Sequence, residues 1–217
     1  CRPTGADYLG ARVDELTLTQ LRTVDVGSLT LAGFPRQRAV PGERIPTLAE
    51  VFAATTGAPI WWVIEVKIDV TDPRDRAARH TLLNGVLEAV TDAGVRDRVF
   101  IHSFDWAVLQ RARVLDPHLP VSALAVVGET FAPRSKWLGT VQWDDHPDDL
   151  AGAAAELGAS VVSPDFHSCT AELVEQAHAR GMAVLPWTVN DPVIFGDLAD
   201  IGADGVVTDL PDEMLAL

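Results

Sequence analysis

One stretch decides the fold: Ile60-Trp61-Trp62-Val63-Ile64-Glu65-Val66-Lys67, an apolar run of strand-forming residues that ends in a carboxylate and an ammonium. Side chains alternate between the two faces of a strand. Trp61, Val63, Glu65 and Lys67 therefore share one face, and the charged pair lies at the C-terminal end of the strand. Active sites of parallel α/β barrels are built at this end.

The charged pair has two interpretations. A carboxylate such as Glu65 can hold a divalent cation, and an ammonium such as Lys67 can neutralise an anionic oxygen, for example that of a phosphate. The alternative is a solvated ion pair at a strand end, since exposed ion pairs are common and contribute little to stability. From the run alone both interpretations stay open.

The composition is that of an ordinary globular domain. The chain has 217 residues, of which 47% are hydrophobic and 22% charged. We therefore expect one soluble domain over residues 1–217. No apolar run approaches the roughly 18 residues of a membrane span, and no segment resembles a signal peptide. The cysteines, Cys1 and Cys169, predict neither a disulfide framework nor a structural zinc site.

The charge balance restricts the partners. A formal net charge of −14, with no cluster of Lys and Arg to offset it, argues against nucleic acid and against anionic membrane surfaces. A small anionic substrate is compatible with this charge if a metal ion supplies positive charge. The sequence leaves the cellular compartment undetermined, with the cytoplasm slightly favoured over export.

From about residue 60 onward, strand and helix signals alternate, which predicts β/α units around a parallel sheet or barrel. The predicted strands are 60–67, 98–102, 121–127, 160–164, 183–189 and 205–208. Six strands are too few for a closed eight-stranded barrel, which typically takes about 250 residues. The chain is short of such a barrel by roughly one or two β/α units.

Capping residues mark the predicted helix boundaries. Thr17 with Gln20, and Thr47 with Glu50, form capping boxes that begin two helices before the regular part of the chain. The stretch 25–44 between them is rich in Gly, Pro and charge, which is typical of an irregular loop. Later helices are predicted to begin at Pro147, Thr170 and Asp191-Pro192 and to end at Gly158, Gly181 and Gly202.

Five short segments occur in order along the chain. They are Ile-Pro-Thr-Leu at 45–48 with Glu50, Ile-Glu-Val-Lys at 64–67, Ser-Phe-Asp at 103–105, Trp-Thr-Val-Asn at 187–190, and Gly-Val-Val-Thr-Asp at 205–209 with Pro211. Together they resemble the glycerophosphodiester phosphodiesterase family of phosphatidylinositol-phosphodiesterase-like barrels, over nearly the whole chain. The resemblance implies an α/β fold, a (β/α)8 TIM barrel with about six of its eight strands in this chain.

The resemblance also implies an activity and a site. Family members hydrolyse glycerophosphodiesters to glycerol 3-phosphate and an alcohol, using Ca²⁺ or Mg²⁺ held by three carboxylates and two histidines as acid and base. Glu65 matches the third carboxylate, and Lys67 matches the lysine that contacts phosphate. Trp187 matches an aromatic residue of the substrate pocket, with Asn190 at its rim. For Phe104, a substrate-lining role and a packing role stay open.

The chain also departs from the family. A His-Arg-Gly segment, a Glu-x-Asp pair and a His-Asp dipeptide, which usually precede the region matching residues 1–4, are absent from the sequence. Both catalytic histidines and two of the metal carboxylates therefore have no counterpart, and none of the six histidines is assigned to replace them. His102 ends a predicted strand, where a structural role is favoured. We expect a family member without the first two barrel strands, and negligible hydrolase activity from this chain alone.

Two other hypotheses stay open. In the first, the chain is a catalytically dead barrel remnant that binds an anionic ligand or a partner protein. In the second, it is a related phosphodiesterase that acts on lysolipids. Under any of these readings, open barrel edges expose unpaired backbone groups and apolar side chains. We therefore expect the isolated chain to be unstable or to self-associate.

Overall fold

The structure, a computed structural model, describes residues 2–3 and 8–216. Residue contacts divide the chain into two units, Cys1–Gly57 and Ala58–Leu217. The single domain over residues 1–217 stays a prediction. Cys1 and Thr4, part of the segment 1–4 that the missing family motifs would precede, lie outside the described residues.

Short elements make up the first unit. Strand β1 (Arg2–Pro3) pairs antiparallel with β2 (Val24–Asp25). The helices are α1 (Leu18–Leu21) and α2 (Leu48–Ala54). Both predicted capping boxes are confirmed, since Thr17 and Thr47 each accept a hydrogen bond from the backbone N–H three residues later.

The predicted irregular loop follows β2 and is organised by one carboxylate. The buried Asp25 side chain accepts hydrogen bonds from the Ser28 hydroxyl, at 2.7 Å, and from the backbone N–H groups of Gly42, Ser28 and Gly27. These donors, the Ser28 hydroxyl foremost, hold the pKa of Asp25 well below its usual range. Gly27 is required here because a Cβ atom would collide with the carbonyl of Val40.

A parallel sheet forms the centre of the second unit. Its strands are β3 (Trp62–Glu65), β4 (Val99–Ser103), β5 (Val121–Ala125), β6 (Val161–Pro164) and β7 (Ala183–Val184), in chain order. The predicted α/β class and the parallel arrangement are confirmed. Within residues 8–216 the regular sheet contains five strands rather than the six predicted.

The sixth predicted strand, 205–208, runs beside the chain after β7 without becoming a regular strand. Val207 donates its N–H to the Pro186 carbonyl and accepts from the N–H of Val189, both at 2.9 Å. Two such bonds hold the segment in place but do not build a continuous ladder. Of the predicted strand 183–189 only β7 is a regular strand, although Leu185 and Trp187 continue the pairing with β6 by donating their N–H groups to the Val162 and Pro164 carbonyls.

Helices alternate with the strands, as predicted. They are α3 (Pro73–Asp92), α4 (Trp106–Leu115), α5 (Leu150–Leu157), α6 (Ala171–Ala179), α7 (Pro192–Asp200) and α8 (Pro211–Met214). The helix expected to begin at Pro147 begins at Leu150 instead, because Asp149 caps it by accepting from Gly152 N–H at 2.7 Å. Among the described helices, none is both long and apolar enough to cross a bilayer.

A buried ion pair joins α3 to α4. Asp105 is fully buried and caps α4 by accepting from the N–H of Ala107 at 3.1 Å. Its other oxygen accepts from Nε of Arg79 on α3. Burial raises the pKa of Asp105, and the guanidinium of Arg79 opposes that change. Asp105 is thus the helix cap of α4 and its link to α3.

His102 is buried in the middle of the sheet. It is in register with Glu65 on β3 and with Ser122 on β5, and its Nδ1 lies 2.8 Å from the Ser122 hydroxyl oxygen. Burial lowers the pKa of His102 to about 4, so the ring is neutral near pH 7. These contacts agree with the structural role favoured from the sequence.

His102 makes stability depend on pH. Because its folded pKa lies below the ordinary value of 6.5, the unfolded chain binds the extra proton first as the pH falls. The contribution of His102 to the free energy of unfolding is therefore complete above pH 6.5. As the pH falls to 4, this contribution decreases by roughly 3 kcal/mol. Urea unfolding at several pH values checks this. His102→Gln should flatten this part of the curve, and an unchanged slope in that variant would contradict the assignment.

The β3 edge predicts self-association. Strand β3 is the last strand on one side of the regular sheet; Val63 within it is 46% exposed, and Trp61 just before it is 58% exposed. Exposed apolar edges pair with other chains. We expect light scattering to give an average molar mass for the 217-residue chain that exceeds the monomer value and rises with protein concentration. Val63→Lys should reduce association, whereas Val114→Lys, on exposed α4 surface, should not; a monomer at all concentrations would refute this.

Candidate active site

Glu65 and Lys67 lie at the C-terminal end of β3. Burial alternates through this strand, with Trp62 and Val66 buried and Val63, Glu65 and Lys67 exposed. This is the face pattern predicted from the sequence. Lys67 Nζ lies 3.4 Å from a Glu65 carboxylate oxygen, and the two side chains are 78% and 35% exposed. The pair is therefore open to a ligand, and it is also compatible with a solvated ion pair.

The contact between β3 and β4 continues past the regular strands. Val66 donates its N–H to the His102 carbonyl at 2.8 Å, and the Ser103 hydroxyl donates to the Val66 carbonyl at 2.6 Å. Phe104, two residues after His102, therefore takes the next position on the face that carries Glu65. Continued by one further residue, this alignment would set Phe104 opposite Lys67, at the spacing of about 4.8 Å that separates paired strands.

Phe104 is the centre of an aromatic cluster. Its ring meets that of Trp187 edge to face, with centroids 5.3 Å apart, and that of Trp137 in a similar way at 6.2 Å. All three residues are half-buried. Trp187 is fixed by its indole N–H, which donates to the Ser163 carbonyl at 3.0 Å. Two of the predicted pocket residues, Phe104 and Trp187, are thus in contact.

Trp137 was missed by the sequence analysis. It comes from the long segment between β5 and α5, far in sequence from both Phe104 and Trp187. No periodicity or capping pattern in that segment predicts where a side chain will lie. The signal that could have identified it is the length of the connection, because long βα loops at this end of a barrel carry function.

Asn190 holds the turn at Thr208 and Asp209, which precedes α8. Its amide N–H donates to Asp209 Oδ2 at 2.8 Å, and its amide oxygen accepts from the Thr208 hydroxyl and from Asp209 N–H, both at 2.9 Å. Thr208 and Asp209 are thus held in a turn by the Asn190 side chain. A direct contact of Asn190 with substrate stays a prediction.

A histidine also lies at this edge of the sheet. Asp165 follows β6 and bridges to Trp187, and it accepts a hydrogen bond from the N–H of His167. Nδ1 of His167 lies 3.3 Å from both Asp165 oxygens, and its ring stacks on Phe166 with centroids 3.8 Å apart. No role is predicted for His167 from the sequence. With its side chain 74% exposed, its outer face is free to meet solvent.

Glu65 does not complete a metal site with its neighbours. Within residues 8–216, no three His, Cys, Asp or Glu side chains converge as metal ligands. Glu65 has the cationic Lys67 beside it, and its register partner His102 is held by Ser122. Ca²⁺ takes six to eight oxygen ligands, and Mg²⁺ takes octahedral oxygen ligation. The described residues thus offer one carboxylate and do not fit the three-carboxylate site implied by the family resemblance.

Comparisons with known proteins agree with the resemblance. The sequence pattern of the glycerophosphoryl diester phosphodiesterase family matches residues 3–213. A glycerophosphodiester phosphodiesterase of Caldanaerobacter subterraneus subsp. tengcongensis is 25% identical over 209 residues, which cover 94% of this chain and 72% of that protein. A Bacillus subtilis protein of the same name is 26% identical, covering 92% of this chain and 64% of its own length.

The solved structures share the barrel fold. A crystal structure named for a glycerophosphoryl diester phosphodiesterase of Silicibacter pomeroyi superimposes with a TM-score of 0.81 and 34% identity, covering 94% of this chain and 68% of the other. The expected (β/α)8 TIM-barrel class is therefore confirmed. The chain belongs to the glycerophosphoryl diester phosphodiesterase family, whose members are phosphodiester hydrolases that typically depend on a divalent cation.

Proposed function

We propose that this chain forms the phosphate- and alcohol-binding part of an enzyme that hydrolyses glycerophosphodiesters to glycerol 3-phosphate and an alcohol. The observation that carries the proposal is the order of groups along one edge of the sheet. A carboxylate and an ammonium, Glu65 and Lys67, lie at the same edge as the aromatic cluster of Phe104, Trp137 and Trp187. A phosphodiester has a matching order, with an anionic phosphate joined to a less polar alcohol.

Each residue then has a role. Lys67 offsets the negative charge of the phosphate oxygens, because its ammonium is exposed beside the Glu65 carboxylate. In an enzyme that completes the site, Glu65 would be one of the oxygen ligands that hold Ca²⁺ or Mg²⁺. Phe104 and Trp187 form an apolar wall for the organic part of the substrate. Asn190 fixes the rim through its bonds to Thr208 and Asp209.

A second candidate function is ligand binding without catalysis. It is favoured by the failure of the described residues to bring three metal ligands together and by the neutral, bonded state of His102. The third candidate function is hydrolysis of lysolipids rather than of glycerophosphodiesters with a small alcohol. Binding of glycerol 3-phosphate is common to the first two candidates, while turnover by an enzyme that adds the remaining metal ligands and the acid/base pair to this chain separates them.

The 217-residue chain should show negligible turnover. One carboxylate and one lysine cannot replace a three-carboxylate metal site with an acid/base pair. The measurement is release of glycerol 3-phosphate from a glycerophosphodiester with Ca²⁺ or Mg²⁺ present, repeated after addition of EDTA. Robust release that EDTA abolishes would overturn this prediction. Comparison of short-chain diesters with lysolipids would then identify the preferred leaving group.

Binding should depend on Lys67. Lys67→Gln removes the ammonium from the sheet edge, and we expect it to weaken glycerol 3-phosphate binding about tenfold, since one charge-assisted contact is worth about 1.4 kcal/mol. Titration calorimetry measures the change. Lys67→Arg should restore most of the affinity.

The matched control is Arg180→Gln, which removes one positive charge at the end of α6, before β7 begins. This variant should bind glycerol 3-phosphate as the parent does. Equal weakening by Arg180→Gln and Lys67→Gln would mean that only net charge matters, and no binding by the parent would contradict the proposed function.

A further inference from the structure

We propose that the loop 29–40 of the first unit docks the chain on an anionic lipid surface. The inference is independent of the proposed function, because this loop contains none of the residues assigned to the candidate active site. Every residue of the loop is exposed, and four large apolar side chains, those of Leu29, Leu31, Phe34 and Val40, are 40% to 58% exposed. Exposed apolar side chains scattered singly are ordinary, but several of them on one short loop mark an interaction site.

The long loop between β5 and α5 treats its apolar residues differently. Phe131 and Leu138 of that loop are buried, and Phe131 stacks with Trp106. The Trp137 carbonyl accepts a hydrogen bond from the N–H of Trp106, the first residue of α4, at 2.8 Å. That loop therefore packs its apolar residues onto its own unit, whereas loop 29–40 presents them to solvent. Length of a loop alone does not explain such exposure.

Hydrogen bonds hold loop 29–40 in a defined shape. Its base is closed by the N–H of Val40, which donates to the Gly27 carbonyl at 2.8 Å. Across its centre, the Gln37 amide oxygen accepts from the Leu31 N–H at 2.8 Å, and the Gln37 amide N–H donates to the Leu29 carbonyl at 3.2 Å. The apolar side chains are thus displayed on a preformed loop, which loses little conformational freedom when a partner covers it.

The charges of the loop identify the kind of partner. Arg36 and Arg38 are both exposed, and residues 29–40 contain no Asp or Glu. The loop is therefore positive in a chain whose formal net charge is −14. Leu and Phe side chains enter the boundary between lipid headgroups and acyl chains, while arginines are attracted to anionic headgroups. This combination of apolar and basic side chains matches an anionic lipid surface.

The net charge of the whole chain does not prevent this docking. From the sequence, −14 argues against anionic membranes, because it sums charges over all 217 residues. At physiological salt, however, exposed charges more than about 8 Å apart are largely screened from one another. Next to the loop, the exposed Glu43 opposes an anionic surface, but Arg44 follows it directly. A membrane in contact with loop 29–40 therefore meets mainly positive charge.

Flotation of the protein with lipid vesicles tests the docking. The 217-residue chain, kept dilute to limit self-association, is mixed at physiological salt with vesicles of phosphatidylcholine alone or of phosphatidylcholine and phosphatidylglycerol in equal parts. We expect binding to the anionic vesicles to be about tenfold tighter, since each arginine near an anionic surface favours binding severalfold. Equal binding to the two kinds of vesicle, or no binding to the anionic kind, would overturn the inference.

Variants locate the contact on the loop. Phe34→Ser should weaken binding to anionic vesicles about tenfold by removing one apolar anchor. The double variant Arg36→Gln, Arg38→Gln should bind the two kinds of vesicle equally. As matched controls, Val114→Ser on exposed α4 surface and Arg180→Gln at the end of α6 should bind as the parent does. If both loop variants, folded by circular dichroism, bind like the parent, the contact lies elsewhere and the inference is wrong.

A second copy of the chain is the alternative occupant of the loop. Light scattering without lipid distinguishes the two, because Phe34→Ser should leave the molar mass and its rise with concentration as in the parent. A decrease of that mass like the one expected for Val63→Lys would make the loop a contact between copies and would overturn docking on lipid. Phe34→Ser should also bind glycerol 3-phosphate as the parent does, so a failure of the proposed function leaves this inference untouched.

Discussion

The parallel pairing of β3 with β4 is the constraint on which the site depends. Register places Glu65 beside His102, and the bonds of Val66 and Ser103 carry the pairing one residue further. Because side chains of register partners point to the same face of a sheet, the same alignment continued by one residue would make Lys67 and Phe104 neighbours. A slip of one residue would turn every side chain of β3 to the other face and separate the charged pair from the aromatic cluster.

Much of the fold could be predicted from local signals. The alternation in residues 60–67 agrees with the observed burial, and the capping boxes at Thr17 and Thr47 begin helices as expected. Errors arose where local and tertiary signals compete. Pro147 is a good first helical residue, yet Asp149 captures the helix start with its carboxylate. Segment 205–208 has the composition of a strand, but only two backbone bonds hold it beside its neighbour.

The site was predictable only in part, for a physical reason. Glu65 and Lys67 are adjacent on one strand, so the sequence alone puts them together. Phe104 and Trp187 came from the family resemblance, and their contact is a tertiary fact. Trp137 lies 33 residues beyond Phe104 in a segment without regular structure. Nothing in the local sequence says which ring such a loop will touch, because packing of the loop on α4 decides it.

The bond from Trp106 to Trp137 has a consequence for measuring motion. The first N–H groups of a helix have no partner within the helix and usually exchange their hydrogen rapidly with solvent. At Trp106 that role is filled by the carbonyl of Trp137. Hydrogen exchange at this one amide is therefore a native reporter on opening of the β5–α5 loop, independent of any label or ligand. The rate of exchange at the Trp106 amide therefore reports how often the Trp137 carbonyl moves away from the start of α4.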